Sequence, residues 1–78
     1  MKVTAYVLIQ TEVGRAEQVA SAARTLAGVI DSDNVAGPYD VIVKAEADTL
    51  DELGRLVVSA IQKVDGITRT FTCPIVNL

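Results

Sequence analysis

The sequence predicts an α+β fold in the order strand, helix, strand, strand, helix, strand, with one four-stranded antiparallel sheet and both helices on one face. Three observations carry this. Val3, Ala5, Val7 and Ile9 alternate with Thr4, Tyr6, Leu8 and Gln10, the period of two expected of a strand. Ala16, Val19, Ala20, Ala23 and Leu26 fall at helical spacings and make one apolar stripe. A shift of 38 residues then repeats the pattern, taking Val3 to Val41, Val7 to Ala45, Thr11 to Thr49, Val19 to Val57, Ala23 to Ile61, Leu26 to Val64 and Gly28 to Gly66.

Each element follows in order. The first strand is apolar on its odd face. The first helix ends at Gly28, since glycine accepts the left-handed backbone that closes a helix. Residues 29–36 read as a second strand of irregular polarity, an edge strand. Val41, Val43, Ala45 and Ala47 mark the third. Thr49-Leu50-Asp51-Glu52 has the form of a capping box, in which the threonine accepts a first-turn amide and the glutamate reaches back. The second helix is expected over residues 50–64 and the last strand over residues 67–76. Two tandem βαβ units of this size form the split, ferredoxin-like arrangement. That topology puts the second and fourth strands at the edges, where Pro74 can spare a backbone donor.

With 78 residues the chain is expected to be a single domain, 1–78. So short a domain buries only about 60% of its unfolded surface, and extra stability must come from elsewhere. One cysteine and no histidine exclude an internal disulfide and argue against a structural metal. Self-association is the remaining source. Seven Lys and Arg, scattered and outnumbered by ten Asp and Glu, do not make a nucleic-acid surface. No apolar run reaches the roughly 18–20 residues of a membrane span, and Met1-Lys2-Val3-Thr4 does not start a signal peptide. A cytoplasmic location is the expectation.

Two helices cover one sheet face and leave the other open. The open face should carry Lys2, Thr4, Tyr6, Leu8 and Gln10, then Ile42, Lys44 and Glu46, then Thr68, Thr70 and Thr72, with Phe71 and Cys73 on the core side. Tyr6, Leu8 and Ile42 would form a central apolar patch, which a monomer seldom leaves bare. Dimerisation through this face is expected; the alternative is a semi-polar sheet facing water.

The halves are joined by Gly37-Pro38-Tyr39-Asp40. A tight turn explains the glycine and proline, and explains Tyr39 and Asp40 less well. Val35-Ala36-Gly37-Pro38-Tyr39-Asp40-Val41-Ile42-Val43-Lys44 resembles the middle of the effector domain of the Lrp/AsnC regulators, the RAM (regulation of amino-acid metabolism) domain. Asp65-Gly66-Ile67-Thr68-Arg69-Thr70-Phe71-Thr72 resembles its closing segment, and the resemblance runs over essentially the whole chain. It implies sheet-paired dimers that assemble further, and a small effector, usually an amino acid, bound between dimers near Gly37, Pro38, Tyr39, Asp40, Thr70 and Thr72. A carboxylate such as Asp40 can take an ammonium, and threonine hydroxyls donate or accept. Asp40 could equally cap the turn, the threonines serve as β-formers, and Tyr39 as a packing residue. The first strand starts at residue 2 with no helix-turn-helix ahead of it. The expectation is therefore a stand-alone effector domain that binds no DNA directly and joins a full-length relative.

The fold also hosts monooxygenases and isomerases, so it settles no function by itself. Without histidine the usual neutral-pH base is missing. Cys73 reads as a buried, inert thiol. Asp31/Asp33 and Asp51/Glu52 need no catalysis to explain them, and Arg15 and Arg24 read as solvated charges. No enzyme and no cofactor are expected. A small dimeric enzyme or a purely structural oligomerisation domain are the alternatives to an effector module.

Overall fold

The computed structural model describes residues 2–77. The order is β1 (Val3–Thr11), α1 (Ala16–Arg24), β2 (Val29–Asn34), β3 (Val41–Ala47), α2 (Leu50–Ser59), a 3-10 turn (Ile61–Lys63) and β4 (Ile67–Pro74). The sheet runs β2-β3-β1-β4, antiparallel throughout, with β2 and β4 at its edges. Ala5, Val7 and Ile9 of β1 meet Val41, Val43 and Ala45 of β3 beneath Val19, Ala20 and Ala23 of α1 and Leu53, Val57 and Ile61 of the second half. All are buried. The residues paired by the 38-residue shift thus do the same work in each half.

The helix ends depart from the pattern. Thr11 closes β1 and starts no helix. α1 stops at Arg24, where Thr25 donates from its hydroxyl to the Ala22 carbonyl at 2.7 Å. α2 stops at Ser59, because Ala60 takes φ −122° and ψ −58° and a 3-10 turn then drops Ile61 into the core. Thr49 caps α2 by accepting from the Glu52 N–H at 3.1 Å; among the described residues the Glu52 carboxylate returns no bond. Both edge strands are shorter than expected. β2 ends where the Val35 N–H turns to the Asp40 carbonyl, and β4 ends at Pro74, beyond which the Ile75 N–H still donates to the Thr4 carbonyl at 2.8 Å.

The two glycines do not cap helices; they turn the chain into the edge strands. Gly28 and Gly66 have φ of +92° and +100°. Their carbonyls accept from Glu46 N–H and Glu12 N–H, both at 2.8 Å, tying each turn to an inner strand. A Cβ at Gly28 would stand 2.8 Å from Leu56 Cδ2 and 3.1 Å from the Glu46 carbonyl. Gly28→Ala therefore meets both left-handed strain and a backbone oxygen. We expect a loss of about 1–3 kcal/mol, read as a lower urea midpoint with unchanged slope.

Arg15 and Arg24 are anchored rather than free. Arg15 pairs with Asp65 at 2.8 Å and donates to Gln18 Oε1 at 2.9 Å. The hydrogen bond and charge of Asp65 raise the pKa of Arg15, as those of Asp48 raise that of Lys2. Arg24 donates to the Ser32 carbonyl, so α1 is tied to both halves.

Candidate functional site

The open face is set by register. Residues directly opposite in an antiparallel pair share a face. One row across the sheet is Asp33, Ile42, Leu8, Phe71; the next is Asp31, Lys44, Tyr6, Cys73. Tyr6, Leu8 and Ile42 lie together on this face as expected, and Tyr6 and Phe71 are each 42% exposed.

The fourth strand corrects the expected alternation. Thr70 lies opposite Ile9 and Thr72 opposite Val7, on the helix side, while Phe71 and Cys73 take the open face. The cause is a bulge: Thr11 pairs with Ile67 and Gln10 with Arg69, leaving Thr68 as an extra residue. One inserted residue reverses the facing of every later side chain. Cys73 is accordingly exposed, not buried in the core. The same break occurs at Ile30 in β2, 38 residues earlier, between Val29 and Asp31.

The loop between β2 and β3 is strapped across the end of β1. Gly37 takes φ +129°, a conformation open to glycine, and sends the chain over the strand. The Pro38 carbonyl accepts from Gln10 Nε2 at 3.1 Å. The Asp40 N–H donates to the Ile9 carbonyl at 2.9 Å. Asp40 Oδ2 accepts from the Thr11 N–H at 2.8 Å and from its hydroxyl at 3.3 Å. Among the described residues no donor reaches Oδ1. The Tyr39 ring meets Phe71 edge-on at 5.8 Å, and the Arg69 guanidinium lies 5.7 Å from the Phe71 ring centre.

The threonines sit elsewhere. Gln62 Nε2 donates to Thr70 Oγ1 at 2.9 Å, and Gln62, Ile67, Thr68, Arg69 and Thr70 line a cavity of about 230 Å³. Within one chain the fold brings Gly37, Pro38, Tyr39 and Asp40 together with Gln10, Thr11 and Phe71, but leaves Thr70 and Thr72 on the other side of β4. Gln10 is expected on the open face but not at the loop, and Gln62 and Arg69 carry no expectation from sequence. Gln10 continues the even row of β1 and was within reach of that reasoning; the other two depend on the bulge and the 3-10 turn.

The family profile described as Lrp/AsnC ligand binding domain matches residues 4–77. An uncharacterised HTH-type transcriptional regulator of Pyrococcus horikoshii is 35% identical over 65 residues, 83% of this chain and 39% of the regulator. The chain spans less than half the length of the curated relatives it matches, which are named as regulators rather than enzymes. A solved hypothetical protein of Pyrococcus horikoshii superposes with a TM-score of 0.88 at 33% identity, over 97% of this chain and 92% of that one. A Neisseria meningitidis transcriptional regulator, solved in complex with L-Met, has the same fold at 13% identity, with a TM-score of 0.83 over 96% of this chain and 50% of that one. No helix among the described residues is long and apolar enough to cross a membrane.

Proposed function

Because this chain belongs to the Lrp/AsnC ligand-binding domain family, we propose that it is an effector-binding and oligomerisation module that takes an amino acid or similar small zwitterion. The observation that carries the reading is the strapped loop. Asp40 is held in place through one carboxylate oxygen and keeps the other for a ligand ammonium. The backbone donors and acceptors of the glycine turn supply the partners a carboxylate needs. Tyr39 of the loop meets Phe71 on the open face of β4 while Thr70 lies on the helix side, so one chain offers two half-sites. A ligand touching both sits between copies. The open-face patch of Tyr6, Leu8 and Ile42 pairs the chain into a dimer, and the pairs assemble further. The domain acts in the cytoplasm, through the helix-turn-helix of a regulator of this family.

The test is thermal shift against the twenty amino acids. A ligand at a hundredfold excess over its Kd adds about 2.7 kcal/mol, which raises Tm by on the order of 10 °C in a domain of this size. Silence across the panel counts against sensing. Asp40→Asn keeps an acceptor for the Thr11 N–H and removes the charge. It should leave the unliganded Tm in place and weaken binding about 10- to 100-fold, the effect of losing a charged hydrogen bond. The bonds from Thr11 to Asp40 favour one competing reading, an assembly domain in which the loop only shapes the sheet. On that reading the panel stays silent.

A further inference from the structure

The outward face of α2 carries features the fold does not use. Leu50 and Val58 are 59% and 60% exposed, one helical step of four residues either side of Gly54. A glycine inside a helix costs stability relative to alanine, yet a Cβ at Gly54 would meet nothing within 4 Å. Intramolecular packing therefore does not require it. A shallow groove of about 490 Å³ runs over it, lined by Asp51, Gly54, Arg55, Val58 and Ser59. Asp51 and Arg55 stand four apart at the side of this face, and among the described residues neither joins an ion pair.

We propose that this face is a self-association surface, on which α2 of a second copy packs antiparallel across Gly54. The two-fold axis that relates such a pair crosses the helix at the glycine. It sets Leu50 of each copy against Val58 of the other. It also sets Asp51 of each beside Arg55 of the other, giving two reciprocal ion pairs from one acid and one base. A contact of this kind is self-complementary, as a two-fold interface must be. The missing Cβ lets the backbones approach, and antiparallel helices set opposite dipole ends together.

The helix is about 15 Å long, too short to bury the roughly 1,200 Å² of a stable interface on its own. The contact therefore acts between copies already joined elsewhere, and its occupancy rises with concentration. It uses none of the residues of the open sheet face, so a substitution in one contact leaves the residues of the other in place. With both contacts present, two different two-fold axes build a ring or a filament from dimers.

Sedimentation equilibrium of the full chain over a micromolar series tests this, with far-UV circular dichroism checking that each variant is folded. Arg55→Asp gathers four carboxylates at the contact and should lower the association constant for the largest species about tenfold or more. The swap Asp51→Arg with Arg55→Asp restores the pairs and should restore the mass. A wild-type chain that stays monomeric, an Arg55→Asp mass equal to wild type, or a swap that fails to restore assembly would each overturn the proposal. Loss of assembly in Ile42→Asp alone bears on the sheet face only.

Discussion

Replacing Leu53 with alanine is expected to remove about 2–5 kcal/mol of folding free energy. Leu53 is fully buried and is, with Ile9 and Ile61, among the largest side chains of the core. Small domains sit near the low end of the roughly 5–15 kcal/mol range of stabilities, so the loss takes much of the total. The helix cannot collapse into the space, because Val57 and Ile61 hold the next turns against the sheet. Urea denaturation followed by circular dichroism should show a large fall in midpoint with little change in slope. Leu50→Ala, at an exposed position three residues earlier, should move the midpoint within about 0.5 kcal/mol. Equal effects at the two positions would mean that the wrong face of α2 had been assigned to the core.

Ile42→Asp is the second change with a large expected effect, this time on assembly. Ile42 lies in the central row of the open face, between Asp33 and Leu8. If two sheets meet there, each copy brings a new carboxylate to the middle of the contact. Like charges placed together cost several kcal/mol, and every 1.4 kcal/mol is tenfold in the dissociation constant. The mass should therefore fall toward that of a single chain at micromolar concentration, with the melting curve of the fold still cooperative. An unchanged mass would place self-association somewhere other than the sheet face. Phe71 and Tyr6 would give such a contact its aromatic area, and Lys44 opposite Asp31 a polar margin.

The inner half of this molecule was legible in the residues. Alternation in β1 and β3, the stripe of α1 and the 38-residue repeat together imply two tandem βαβ units, and the split arrangement of such units puts β2 and β4 at the edges. The turn at Gly37-Pro38-Tyr39-Asp40 was legible as special, because a simple turn leaves its tyrosine and aspartate unexplained. Its bonds to Gln10 and Thr11 were not legible, since they join positions nearly thirty residues apart. The edge strands failed for a different reason. A bulge leaves no mark on the alternation of Thr68, Arg69, Thr70, Phe71, Thr72 and Cys73; it merely reverses which side is wet.

What the sequence by itself determined is therefore the βαββαβ order, the buried faces of β1, β3 and the two helices, and the place of the loop. Each of these follows from local periodicity and from glycine and proline chemistry. Only the tertiary structure decided which face of β4 carries the threonines, that Cys73 is exposed, and that the loop lies over the end of β1 toward Phe71. Those outcomes depend on how one strand registers against its neighbour. A single unpaired residue changes that register without changing the pattern of residue types.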